Sequence, residues 1–284
     1  MTQQRLLLLF AIFSAGAHAQ WLNYPTPGTP RTRDGKPNLA APVPHAANGK
    51  PDLSGVWHVQ PTSLAEMKRI FGAGLVDNSV TVSVPGMETD TISKYGVNIL
   101  LDFKPGESPM RPEAAEILQK RLAGGNPLPG NCLPFGIPLD GMLSEPNKIV
   151  QSPRLTVIMY ETDGTHRQIY TDGRQLPAEF AQPAWLGYSV GHWDHDTLVV
   201  ESAGFNDKTP LDAIGHPHSE ALRIVERYRR RDFGHMDVEM TFNDPQMYTN
   251  PFTIKFAEEL WADSDIFEYF CDENEKDRTH VGKN

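Results

Sequence analysis

The stretch that decides the fold is Leu222-Arg223-Ile224-Val225-Glu226-Arg227-Tyr228-Arg229-Arg230-Arg231-Asp232-Phe233-Gly234-His235-Met236-Asp237-Val238-Glu239-Met240-Thr241-Phe242. From Met236 onward apolar and polar residues alternate, the period of a half-buried strand whose side chains point to opposite faces in turn. The first limb is less decisive, because Leu222, Val225 and Tyr228 also fit the three-residue spacing of a helix. Asp232-Phe233-Gly234-His235 between the limbs has hairpin-turn chemistry, and this selects strand for both. On that strand Arg223 and Arg227 share one face, and Glu220 and Glu226 share the other.

The same texture extends in both directions. Lys148–Gln151, Leu155–Glu161 and His166–Thr171 read as strands, the last two joined by Thr162-Asp163-Gly164-Thr165. Trp185–Trp193 and Thr197–Ser202 flank Asp194-His195-Asp196, and Phe252–Trp261 and Ile266–Cys271 flank Asp263-Ser264-Asp265. Leu53–Val59 is an earlier strand signal and Val80–Val84 another. Thr62–Phe71 reads as a short helix. A second helix opens at Arg111-Pro112-Glu113, with proline in its first turn and glutamates near its positive end, and stops at Gly124-Gly125. Strands at regular spacing joined by Asp/Gly turns predict a mainly β chain, an antiparallel up-and-down meander, and closure into a barrel removes its edges.

Upstream of the meander, Arg5, the apolar run Leu6–Phe13 and Ala17-His18-Ala19 have the layout of a signal peptide over residues 1–19. The run is too short to span a bilayer, and no later segment has eighteen consecutive apolar residues. The chain is therefore expected in a bacterial periplasm or outside the cell, without membrane insertion once the leader is removed. Residues 20–52, rich in Pro, Gly, Asn and Ala, form an extended arm. Residues 53–284 form one barrel domain with a helical and loop insertion at about 105–146. In an oxidising compartment the two cysteines, Cys132 and Cys271, either bridge or remain as two buried thiols.

Several segments carry a resemblance: Pro51-Asp52-Leu53-Ser54-Gly55-Val56-Trp57, Tyr170-Thr171-Asp172-Gly173-Arg174, Gly187-Tyr188-Ser189-Val190-Gly191-His192-Trp193, Leu198-Val199-Val200-Glu201-Ser202 and Phe205-Asn206-Asp207. Over most of its length after the leader the chain resembles a family of exported bacterial proteins common in acidobacteria and proteobacteria. The resemblance implies a calycin-like, lipocalin-type β-barrel and carries no activity with it.

Composition narrows the function classes. The 284 residues hold 26 Lys+Arg against 36 Asp+Glu, a formal charge of −10, which argues against a nucleic-acid surface. Apolar residues make up 39% and charged residues 22%, the balance of a chain with a packed core. No Gly-x-Gly-x-x-Gly, phosphate-binding loop, Gly-x-Ser-x-Gly or haem-attaching Cys-x-x-Cys-His occurs, so no organic cofactor is expected.

Candidate chemistry lies on the strands. Tyr170, Asp172 and Arg174 alternate and so share a face. Arg174 suits an anionic or carbonyl oxygen, and Asp172 suits turn chemistry equally well. Tyr188 and His192 share a face of the next strand, where a histidine has the pKa range of a general base. These five form the expected catalytic set, with Arg223, Glu201 and Trp185 as substrate-binding residues. His216-Pro217-His218 is a weak metal pattern, and no metal is expected. Arg229 to Arg231, beside a turn, read as solvated charges. Two principal readings follow. One is an exported barrel enzyme performing cofactor-independent acid/base chemistry, of lyase or isomerase type, on a small apolar or aromatic molecule. The other is a lipocalin-like binding protein using the same cavity without turnover. A third reading, a structural envelope protein, follows if the charged strands only solvate the surface.

Overall fold

Nine strands close a barrel in which every strand neighbours the next in sequence and the last returns to the first. The structure, a computed structural model, describes residues 25–71, 93–104, 106–124, 132–143 and 145–268. The strands are β1 (Gly55–Val59), β2 (Asn147–Gln151), β3 (Leu155–Tyr160), β4 (His166–Tyr170), β5 (Tyr188–Asp194), β6 (Thr197–Ala203), β7 (Arg223–Arg230), β8 (His235–Asn243) and β9 (Phe252–Leu260). Closure is made at Trp57, which pairs with Asn147 of β2 on one side and Leu260 of β9 on the other. The deciding stretch is the β7–β8 hairpin, in register from Arg223 opposite Asn243 to Arg230 opposite Met236.

One expectation is corrected. The barrel is mixed rather than wholly antiparallel, because β4 and β5 run parallel, with Ile169 opposite Ser189 and Tyr170 opposite Val190. The cause is topological. Each antiparallel contact reverses the strand direction, so a closed ring needs an even number of them, and nine strands force at least one parallel pair. The connection from Tyr170 to Tyr188 supplies it by carrying the chain back to the end of the barrel from which β4 started. The expected strand Ile266–Cys271 is also absent as far as Phe267 and Glu268, with residues 269 onward outside the described residues. Its place beside β9 is taken by β1. Val80–Val84 likewise lies outside the described residues.

Helix α1 (Leu64–Phe71) and helix α3 (Pro112–Ala123) stand where the sequence placed them, with the short α2 (Lys94–Val97) between. Proline occupies the first turn of α3, where its missing N–H has no helical acceptor to lose. Cys132 is disulfide-bonded, and Cys271 lies outside the described residues.

Alternation fills the lumen. The inward phase of β7 and β8 carries Ile224, Tyr228, Met236, Val238, Met240 and Phe242, all buried. Trp57, Ile149, Ile158, Ile169 and Leu198 meet them from the other walls. Ile137 and Met142, flanking a short 3-10 turn (Leu139–Gly141), belong to the same core, and Leu139 of the turn is buried as well. Burial of each such side chain contributes roughly 1.5–3 kcal/mol, which is why the alternating phase holds the wall together.

Candidate functional site

Among the places that collect polar groups, one lies inside the barrel and one outside its closing seam. The inner one starts from charges standing in the apolar phase of their strands. Arg167 shares the buried phase of β4 with Ile169, Glu226 that of β7 with Ile224 and Tyr228, and Glu258 that of β9 with Ile254 and Leu260. The Arg167 guanidinium grips Glu226 through two donors, Nη1 to Oε1 at 3.0 Å and Nη2 to Oε2. Its Nε–H donates to Ser189 Oγ at 2.9 Å and Nη2 to Ser202 Oγ at 2.6 Å. Tyr228 donates its hydroxyl to Glu226 Oε1 at 2.7 Å. The ion pair is thus desolvated, with four of the five guanidinium donors and both carboxylate oxygens engaged, the condition under which a buried pair is tolerated.

Glu258 is differently placed. Asn147 Nδ2 donates to its Oε1 at 3.3 Å, while Oε2 is buried without a hydrogen-bond partner among the described residues. Burial raises its pKa to about 7, against the small opposing effect of the Asn147 bond. Beside it lies a void of about 10 Å³ bounded by Ile137, Pro138, Ile158, Tyr160, Tyr228 and Met240. That is room for one water and no more.

The outer place is a cleft of about 650 Å³ between the N-terminal arm and the β1–β9 seam. Thr26 to Thr29 and Pro44 of the arm form one wall. Gly55 and Val56 of β1, Leu260 of β9 and the following Trp261 form the other, with Phe233 of the β7–β8 turn at the end. The arm is tied down at three points. Arg31 meets Asp263 through two bonds of 2.8 and 2.6 Å, and Asp263 Oδ1 also accepts the Thr26 N–H. Phe233 and Gly234 donate their N–H groups to Ala41 and Leu39 carbonyls, both at 2.8 Å. Gly234 is needed there, since a Cβ would stand 2.4 Å from the Leu39 Cβ. His58 lies against Trp261 at 4.7 Å between ring centroids and so fixes the ring that walls the cleft.

Arg230 lines this cleft and is only 4% exposed. Its Nε–H is shared between the Asp232 and Phe233 carbonyls, Nη1 donates to the Asp52 carbonyl, and Nη2 donates to that of Phe233. The guanidinium lies over the Trp57 ring at 4.8 Å and the Phe233 ring at 5.1 Å. Burial lowers its pKa to about 10.

The residues singled out by sequence fall elsewhere. Tyr170, Asp172, Arg174 and Tyr188 do come together: Arg174 binds Asp172 at 2.7 Å, donates to Tyr188 Oη at 3.0 Å and covers the Tyr170 ring at 3.9 Å, while the two tyrosines stack at 5.3 Å. They do so on the outside of the wall at the parallel seam, with Arg174 exposed, and not in the lumen. His192, Glu201 and Arg223 are exposed on the same outer phase, and half-buried Trp185 sits beneath Lys208. His216 and His218 are buried but spoken for. His216 Nδ1 meets Asp212 at 2.5 Å, and His218 bonds Thr209 Oγ1 at 2.7 Å and the Ser219 carbonyl at 3.2 Å. Among the described residues no group of three ligating side chains could hold a metal ion. Arg230 corrects the reading of Arg229 to Arg231 as solvated, since Arg229 and Arg231 are exposed and Arg230 is not. What reveals Arg167, Glu226, Glu258 and Arg230 is their phase: each is a charge where alternation calls for an apolar residue.

No protein-family model, curated protein or solved structure matches this chain. Among the described residues no helix is long and apolar enough to cross a membrane.

Proposed function

We propose that this chain is an exported, lipocalin-like binding protein for a small, largely apolar molecule, and that the ligand sits in the cleft between arm and seam rather than in the lumen. The observation that carries the reading is the cleft itself, about 650 Å³ with Phe233, Leu260 and Trp261 on its walls and the buried cation Arg230 at its end. Such a volume is within the range of small-molecule sites, and a mostly apolar wall with few placed polar groups is their usual chemistry. The void beside Glu258 inside the barrel has space for a single water. Export rests on Arg5, Leu6–Phe13 and Ala17-His18-Ala19, and the likeness to exported bacterial proteins adds to it.

An acid/base lyase or isomerase has a narrower basis. Glu258 has a pKa in the range of a general acid at neutral pH and stands near Tyr160 and Tyr228. The void beside Glu258 has no room for a substrate, which favours a structural role for these groups.

The test is native mass spectrometry of the protein purified from a bacterial periplasm, followed by delipidation and rebinding of whatever co-purifies, read by calorimetric titration. The expected result is a bound molecule of a few hundred daltons whose affinity falls by about tenfold in Trp261→Ala, as the loss of a buried aromatic contact requires. A protein that leaves the cell without ligand and binds nothing from its own extract overturns the reading.

A further inference from the structure

The charge balance of the cleft is uneven. Lys148 is paired with Asp265 at 2.6 Å. Asp52 turns its carboxylate to the Ser54 N–H at 2.9 Å, and Asp232 receives His235 Nδ1 at 2.7 Å and the Gly234 N–H at 3.0 Å. Among the described residues Arg230 makes no ion pair within 4.0 Å: three backbone carbonyls and two aromatic faces hold its guanidinium, and the Asp52 and Asp232 carboxylates act on it only from longer range. A guanidinium has five N–H donors. Three are engaged here, one of them shared between two carbonyls. Two remain.

From this we infer that the ligand is an apolar monoanion, a single carboxylate on a hydrocarbon or aromatic body, with the carboxylate set against Arg230 and the body against Phe233, Leu260 and Trp261. The inference rests on the cleft reading above and names the chemistry of its occupant. A carboxylate brings the contact countercharge that Asp52 and Asp232 do not supply, and takes up the two remaining donors in the paired fashion that guanidinium favours. Water is already largely excluded from the guanidinium, so the new ion pair is worth more than one formed at the surface. A dianion such as a phosphate monoester is disfavoured, because Asp52 and Asp265 line the same cleft and only one cation is unmatched. Lys148 keeps its own Asp265 and is not needed.

Calorimetric titration of the full chain at pH 7.5 with two matched pairs, decanoate against decanamide and 2-naphthoate against 2-naphthamide, tests it. In at least one pair the acid binds about tenfold or more tightly than its amide, the usual advantage of a charge-assisted bond over a neutral one. Arg230→Met reduces that preference to less than about threefold, and Lys148→Met leaves it intact. Because Arg230 also ties Asp52 to the β7–β8 turn, a second measurement avoids the variant. The carboxyl carbon of ¹³C-labelled acid, followed by NMR, titrates at lower pH when bound to the parent than when free. Acids that bind no better than their amides, a preference that survives Arg230→Met, or a bound acid that titrates at or above its free value each overturn the monoanion while leaving the cleft reading in place. If none of the four compounds binds, the cleft reading fails and takes this one with it.

Discussion

Arg167 of β4 and Glu226 of β7 meet across the lumen with side chains 2% and 0% exposed, joined by two donors and acceptors and braced by Ser189, Ser202 and Tyr228. Removing one partner leaves the other charged, buried and alone. Arg167→Met is expected to cost roughly 3–5 kcal/mol in urea unfolding, whereas the double variant Arg167→Met with Glu226→Leu recovers most of that loss. A single variant within about 1 kcal/mol of the parent contradicts the pair's role.

Glu258 sets a pH dependence of opposite sign to that of an ordinary salt-bridged acid. Its folded pKa is about 7 against an ordinary glutamate value of 4.5, with burial the chief cause and Glu226 adding to it. Between those values the folded state keeps a proton that the unfolded chain releases, so stability falls as pH rises through the window and levels off above it. At 1.36 kcal/mol per pH unit the full loss is about 3 kcal/mol. His218, whose pKa burial lowers, works the other way, since the unfolded chain takes up the proton first as pH drops below 6.5. The clean measurement is therefore the difference between parent and Glu258→Gln from pH 4.5 to 8. The variant is expected to gain on the parent as pH rises, and a flat difference refutes the assignment.

The parallel seam has its own weak point. Gly187 enters β5 with φ of +62°, and a Cβ there would stand 2.8 Å from a Phe205 ring carbon and 2.9 Å from the Ala203 carbonyl oxygen. Gly173 has φ of +89° with nothing within 4 Å. Both Gly→Ala changes add backbone strain, and only Gly187→Ala adds a collision. Gly173→Ala should cost about 1 kcal/mol and Gly187→Ala about 2–4 kcal/mol by thermal unfolding. Equal losses at the two sites would mean that Phe205 and the strand backbone give way freely.

The nine-strand wall was legible because its information is local. Met236 to Phe242 alternates, Asp232 to His235 turns, and Pro112 opens a helix, whatever the rest of the chain does. The parallel pair was not legible, since Tyr170 and Tyr188 look the same whether their strands run together or opposed, and only ring parity decides. The site was partly legible. Alternation groups Tyr170, Asp172 and Arg174, and separately Tyr188 with His192; the structure brings Tyr188 to the trio and leaves His192 apart, and alternation alone does not say which phase faces inward. The burial of Ile169 against the exposure of Gln168 settles that. Arg167 and Glu226 are 59 residues apart, and Arg230 and Asp52 178 apart, so each charge looked solvent-facing until the barrel closed.

The arm gives the last prediction, because it separates affinity from stability. Arg31 and Asp263 form an ion pair at the surface, and the Arg31 guanidinium holds the Asp263 carboxyl below its usual range. Partly exposed pairs contribute little to global stability. Yet the same Asp263 accepts the Thr26 N–H, and Thr26 to Thr29 make the cleft's outer wall. Arg31→Ala should leave the melting temperature nearly unchanged while the wall loosens. Binding then has to order the wall again, and affinity for the cleft ligand should fall by about threefold or more, with most of the change in the off-rate. Stopped-flow release followed by Trp261 fluorescence measures it. An off-rate equal to the parent's would show that the outer wall is held without Arg31, by the Thr26–Asp263 bonds and the Leu39 and Ala41 contacts.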